Sequence, residues 1–187
     1  GSAKLIINSF TMTNPRFSIT PSSVPDTIQP ASSKNYTVGF TPNAFDTTSG
    51  ELRIANNDIG NPVKIVTLRG KGVYSGAYVS ISNQNFNYSN RRINSLCGFT
   101  FNITNQGSQP LTINSVSFSG ARFRYDTLNA RFPITIDTQK TRTLRIWFNP
   151  DAAAAFSDSA IFSTNAVNNS SAKIILSGTG VNNPTTL

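Results

Sequence analysis

The sequence has no histidine, and only one cysteine, one methionine, one tryptophan and one glutamate, Glu51. Without histidine, the Ser-His-Asp and Cys-His arrangements that activate a nucleophile cannot be built. With a single cysteine as well, a zinc ligand set is missing. Cys97 has no intramolecular disulfide partner. No apolar run is long enough to cross a membrane, and no signal-peptide pattern is present. Acids are scarce too: eight Asp and Glu stand against sixteen Lys and Arg, giving a net charge of +8 and a pI near 10.1. Charged residues make up 13% of the chain, about half the usual share of a soluble domain. Asn, Ser and Thr take their place, a composition that leans toward exported and cell-surface β-proteins. Five Asn-x-Ser/Thr sequons, at Asn35, Asn87, Asn102, Asn168 and Asn169, are no more than such a composition gives by chance, and no glycosylation is inferred.

What is present is repetition. Leu5-Ile6-Ile7-Asn8-Ser9-Phe10 returns as Leu111-Thr112-Ile113-Asn114-Ser115-Val116, and Arg16-Phe17 as Arg122-Phe123, both at an offset of 106. Phe40-Thr41-Pro42 returns as Phe148-Asn149-Pro150, and Leu68-Arg69-Gly70-Lys71-Gly72-Val73 as Leu176-Ser177-Gly178-Thr179-Gly180-Val181, both at 108. A repeat of this length sets the structural unit. It predicts two domains, 3–74 and 77–181, a linker near Tyr74-Ser75-Gly76, and a tail at 182–187. Gly1-Ser2 reads as a cloning remnant and is left out.

Within each unit the apolar period is two, which means strands. Cys97, Phe99, Phe101 and Ile103 alternate with polar residues, as do Leu144, Ile146 and Phe148, and in the first unit Tyr36, Val38 and Phe40. Strands are expected near 77–82, 85–89, 97–104, 110–118, 133–136, 142–148, 159–164 and 172–178, the first two conceivable as one bent strand. Asn105-Gln106-Gly107-Ser108 and Asn57-Asp58-Ile59-Gly60-Asn61-Pro62 read as turns. The one helical scrap, Asp151 to Ala155, is too short for more than a turn. Short strands with polar turns predict an all-β sandwich. The first unit has only Ala3 and Lys4 ahead of Leu5, where the second has residues 77–110 ahead of Leu111. The first sandwich is therefore expected to lack its opening strands, with an uncovered inner face and an unpaired sheet edge open to strand addition or self-association. Truncation is the simpler reading of that face than a functional groove.

Candidate sites are few. Asp46 with Glu51, and Asp151 with Asp158, are the carboxylate pairs that glycosidase-type chemistry could use, though solvated loop acids are the commoner case. Asn56-Asn57-Asp58 has one carboxylate, too little for calcium, and a hairpin turn accounts for it. Cys97, on a predicted inner face without a nearby base, reads as a small core residue. Arg145 and Trp147 alternate outward on their strand, a possible platform for a sugar ring or a protein partner. The competing reading is that a loop such as 124–132 covers the indole. Arg122, Arg124 and Arg131 gather near one loop and Arg91-Arg92 in another, yet no nucleic-acid motif accompanies them. No catalytic residue, metal or cofactor is expected.

The order Phe86, then Phe99-Thr100-Phe101-Asn102-Ile103-Thr104-Asn105-Gln106-Gly107-Ser108-Gln109-Pro110-Leu111, Phe123, Trp147-Phe148-Asn149-Pro150 and Gly178-Thr179-Gly180 resembles the Hydin/ASH-type immunoglobulin-like domain, including its bacterial choice-of-anchor D relatives. The first unit matches from Phe40-Thr41-Pro42 onward. The resemblance implies tandem immunoglobulin-like (ASH/PapD-like) β-sandwiches with Gly-x-Gly releasing the last strand into the next domain. It implies no chemistry: such domains are structural or partner-binding modules of bacterial surface proteins, or of cilium and centrosome proteins. The expected function is a non-catalytic spacer or adhesion module of a secreted or surface protein. The alternatives are an intracellular cilium or centrosome scaffold and a carbohydrate-binding sandwich using Trp147.

Overall fold

The computed structural model describes residues 2–128 and 131–182. Most of the predicted tail, 183–187, lies outside them. The chain divides into two compact units, residues 1–73 and 74–187. Both are all-β, and among the described residues there is no helix.

The first unit contains β1 (Leu5–Met12), β2 (Phe17–Thr20), β3 (Asp26–Ile28), β4 (Thr37–Phe40), β5 (Thr47–Asn56) and β6 (Val63–Lys71). The second contains β7 (Val79–Ile81), β8 (Asn85–Arg92), β9 (Cys97–Asn105), β10 (Leu111–Ser117), β11 (Phe123–Tyr125), β12 (Ile134–Ile136), β13 (Thr141–Phe148), β14 (Ala155–Thr164) and β15 (Ser171–Val181). Its sheets run β12-β10-β14-β15-β8 and β11-β13-β9-β7. The first unit repeats this order without three members: one sheet is β3-β1-β5-β6 and the other is β2-β4. Thus β1 to β6 correspond to β10 to β15, and β7, β8 and β9 have no counterpart among the described residues.

The correspondence extends to detail. Both β1 and β10 carry a register shift, between Ile7 and Ser9 and between Ile113 and Ser115. Each is pinned by one asparagine. The Ile6 N–H donates to Asn57 Oδ1 at 2.8 Å and Asn57 Nδ2 to the Lys4 carbonyl at 3.1 Å. The Thr112 N–H donates to Asn165 Oδ1 at 2.8 Å and Asn165 Nδ2 to the Pro110 carbonyl at 3.2 Å. Leu5 faces Ile28 where Leu111 faces Ile136, so the drift from 106 to 108 is absorbed between β11 and β12.

The core of the second unit lies between its two sheets. Ile103, Leu111, Ile113, Ile146, Phe148, Phe162, Ile174 and Leu176 are fully buried there. Alternation at period two delivers them, as a pleated strand must. Among the described residues of the first unit no large apolar side chain is buried so fully; Ile7, Phe17 and Leu52 come nearest, at 4%, 6% and 3% exposed.

Several details of the sequence reading differ in the structure. Ala152 to Ala154 form bends, not a helical turn, and Ala155 already opens β14. A run of alanines has helix propensity, but the Gly180 N–H donates to the Ala154 carbonyl and draws the segment into the sheet. The two opening strands are not one bent strand: β7 pairs with β9 and β8 pairs with β15, on opposite sheets. Strand β11 was not foreseen; three residues between loops give too short a pattern to register. In the first unit β6 ends at Lys71, just before Gly72, as read, but in the second the Gly-x-Gly does not end its strand. Gly178 and Gly180 sit within β15, where a Cβ on Gly178 would come 2.6 Å from the Phe148 ring and one on Gly180 would strike Pro150 and the Ala152 carbonyl. Gly70 and Gly72 make the same room for Phe40, Pro42 and the Ala44 carbonyl. The Gly-x-Gly and Phe-x-Pro motifs are therefore two halves of one contact. Residues 74–77, read as a linker, are hydrogen-bonded into the second unit: Tyr74 N–H to the Gln106 carbonyl, Ser108 N–H to Tyr74, Gln109 N–H to Gly76 and Val167 N–H to Ala77.

Candidate functional site

The acids proposed as pairs are each held by something else. Asp46 lies 2.7 Å from Arg16, and Glu51 2.9 Å from Arg53. Asp151 accepts from Arg122 at 2.7 Å and 3.0 Å; that bond lowers the carboxyl pKa and raises the guanidinium's. Burial alone would raise Asp158, but N–H groups of Ser119, Gly120 and Ser159 outweigh it and hold the carboxyl below its ordinary value. These are structural clasps rather than a general acid beside a base. Among the described residues no group of three His, Cys, Asp or Glu side chains could hold a metal ion.

Asn56-Asn57-Asp58 forms the β5–β6 turn. The Asp58 N–H donates to Asn56 Oδ1 and the Gly60 N–H to Asp58 Oδ1, so those side-chain oxygens are turn acceptors. Cys97 is half-buried, packs against the core and faces Phe148 in register.

Strand β13 carries the Arg145–Trp147 pair outward, as alternation requires. Trp147 is flanked in register by Gly98 on β9 and Arg124 on β11. Its indole lies across Gly98, where a Cβ would come within 2.7 Å of the ring. The Arg145 guanidinium carbon sits 5.0 Å from the ring centroid, in cation–π range, and its Nη1 is 3.9 Å from the buried Asp126 carboxylate. Beside the indole a cavity of about 220 Å³ is lined by Arg124, Tyr125, Asp126, Thr127, Leu128 and Trp147. The indole is half-buried: glycine, arginine and segment 124–128 cover part of it. Within the anticipated covering loop, residues 129 and 130 lie outside the described ones. Of the expected Arg122, Arg124 and Arg131 group, Arg122 pairs with Asp151 and Arg124 lies beside Trp147 in register. Arg91 and Arg92 end the edge strand β8, exposed.

The other feature is the open side of the first unit. Val66 and Val38 are each 39% exposed, whereas their counterparts Ile174 and Ile146 are at 0%. Leu5 is 38% exposed and its counterpart Leu111 is at 0%. Both β6 and β4 are end strands, while their counterparts β15 and β13 pair further with β8 and β9. Tyr36 closes part of the gap. Its ring packs edge-on against Phe10 at 5.1 Å, and its hydroxyl donates to Asp26, which also takes Lys34 at 2.7 Å. Partial burial and the Asp26 carboxylate push the Tyr36 hydroxyl up to about 12; Lys34, then Tyr36, hold Asp26 down. The open side was legible from the repeat, but its individual residues were not named. Laying the two copies over each other would have named them, since each exposed position has a core residue as its twin.

Residues 77–179, more than half of the chain, match the family described as HYDIN/CFA65/VesB-like, Ig-like domain. The chain belongs to that family. No curated protein matches it in sequence. Among solved structures it is similar to the ASH/PapD-like domain of human CEP192 (PapD-like domain 7), at 12% identity over 57% of this chain and 87% of that one, TM-score 0.48. A protein of unknown function from Porphyromonas gingivalis W83 is similar at 11% identity over 96% and 86%, TM-score 0.47. The Vibrio cholerae VesB protease is similar at 17% identity over 54% of this chain and 31% of that one, TM-score 0.41. Domains of the HYDIN/CFA65/VesB-like kind are protein-interaction modules and are typically non-catalytic. No helix among the described residues is long and apolar enough to cross a membrane.

Proposed function

We propose that this chain is a non-catalytic structural and protein-interaction module of a larger secreted or surface protein: two immunoglobulin-like units in tandem, set as a spacer that offers strand edges and outer faces to partners. The observation that carries the reading is that, among the described residues, β4 and β6 are end strands on which Val38 and Val66 stand exposed. Free strand edges beside apolar surface are where sheets recruit further polypeptide. Placement at a cell surface rests on the polar, weakly charged composition; an intracellular cilium or centrosome scaffold is the competing placement. The experiment is solution mass by light scattering over a concentration series, on the chain and on Val66→Lys, alone and with candidate partner proteins. Association that the substitution abolishes supports the reading. A single-chain mass throughout, with and without partners and in both proteins, removes it.

A second reading has its own observation. The half-buried Trp147, with Arg145 stacked on it and Arg124 beside it, would suit one ring of a glycan. Glycan-array binding that disappears in Trp147→Ala with the fold retained supports it, and an empty array removes it.

A further inference from the structure

The outward face of the sheet formed by β11, β13 and β9 is laid out in rows across the strands. Arg124, Trp147 and Gly98 stand in one row, and Arg145 with Thr100 in the next. Thr143 with Asn102, then Thr141 with Thr104, continue it. Alternation sends these residues to one side and the core residues Phe99, Phe101, Leu144 and Ile146 to the other. The carboxylate beside the rows, Asp126, is buried, 3.9 Å from Arg145 Nη1.

The repeat shows that the fold does not require this set. The twins of Arg124, Trp147 and Arg145 in the first unit are Ser18, Gly39 and Thr37, with Ser18 paired to Gly39 as Arg124 is to Trp147. One copy builds the face from small polar residues, the other from a ring and two cations. Two shallow clefts open there. Trp147 borders the first, of about 220 Å³, and the second, of about 260 Å³, is lined by Thr100, Thr143, Leu144 and Arg145. Beyond them Thr143 donates to Asn102 Oδ1 at 2.7 Å, and the Thr104 and Thr141 hydroxyls bond at 2.9 Å, forming a strip of hydroxyl and amide groups.

Each part suits a different part of a charged sugar. A half-buried indole offers apolar surface to the C–H face of a pyranose ring. A guanidinium pairs with a carboxylate or sulfate through parallel N–H donors. Threonine and asparagine side chains donate to and accept from ring hydroxyls. The net charge of +8 draws polyanions to the chain.

We infer that the outward face of β11, β13 and β9 binds an acidic polysaccharide, a chain of pyranose rings carrying carboxylate or sulfate. One ring lies on Trp147 with its anionic group on Arg145 or Arg124, and the following rings run over the threonine strip along β13. This rests on the glycan reading and supplies the charge of the ligand.

Trp147 is the one tryptophan of the chain, so its emission reports on this face alone. The test titrates the full chain with hexagalacturonate, sulfated maltohexaose, neutral maltohexaose and hexaglutamate, read by tryptophan emission and by calorimetry. At least one acidic sugar binds about tenfold or more tightly than the neutral one, and the gap shrinks as salt is raised. The stronger of the two names the anion. Arg124→Gln, at an exposed position, weakens the acidic sugar by about three- to fivefold and leaves the neutral one unchanged. Trp147→Ala, followed by calorimetry, abolishes binding. Equal affinity for acidic and neutral hexamers overturns the inference and leaves the glycan reading standing. Hexaglutamate that binds as tightly as the acidic sugars, or acidic-sugar binding that survives Trp147→Ala, makes the face a general anion patch and overturns it. No binding of any sugar removes the inference and the glycan reading together.

Discussion

Two tyrosines of the second unit differ in one bond. Tyr88 is buried and its hydroxyl donates to the Ile146 carbonyl, while the buried Tyr125 Oη has no hydrogen-bond partner among the described residues. Burial raises the pKa of both. Removing a hydroxyl that is bonded leaves a buried carbonyl unsatisfied, at a cost of about 1–3 kcal/mol; removing one that is not bonded costs little or stabilises. Tyr88→Phe is therefore expected to lower the denaturation midpoint of the second unit, and Tyr125→Phe to leave it unchanged or raise it, in paired urea titrations. In the first unit the Tyr36–Asp26–Lys34 group sets a pH window. The Tyr36 hydroxyl is raised from 10.0 to about 12, so its contribution is complete below pH 10 and is lost as pH climbs through about 12. Asp26 is lowered from 3.8, so its contribution is complete above that value and is lost as pH falls through the depressed one. The first unit's melting temperature should fall on both sides of that window, and Tyr36→Phe should flatten the alkaline side.

At the scale of elements, the repeat made most of the fold legible: strand positions, the all-β class and the gap before Leu5 all follow from period two and the paired motifs. The pairing partners were less accessible. That Gly178 touches Phe148 is a fact about two strands thirty residues apart in sequence, and a motif read in isolation looks like a turn. Trp147 was legible as outward because alternation fixes the face. Its packing over Gly98 was not, because that depends on register across strands. Strand β11, three residues long, carried too little pattern to stand out. The glycine contact gives a sharp test. Gly178→Val forces a side chain into the Phe148 ring, and overpacking of this kind costs about 1–3 kcal/mol or more. Phe148→Ala opens a cavity costing about 3–5 kcal/mol. Because the two sites touch, the double variant should be less destabilised than the sum of the singles, a coupling that a double-mutant cycle in urea measures directly.

On the scale of the whole chain, the two units share strand order, bulge and asparagine clasp but not core. The second closes two sheets over a continuous set of fully buried aromatic and aliphatic side chains; among the described residues the first buries only Ile7, Phe17 and Leu52, and none of them fully. Small cores give small stabilities. Thermal unfolding should therefore show two transitions, the first belonging to residues 1–73. Calorimetry checks this. A single cooperative transition would mean that the units unfold together despite their unequal cores.

The asymmetry has a mechanical side. The two units lie in series along one backbone, so a pull on the ends loads both equally, and the one with the thinner interior gives way first. Its 73 residues would then pay out as slack of up to about 250 Å at roughly 3.4 Å each, while the second unit stays shut.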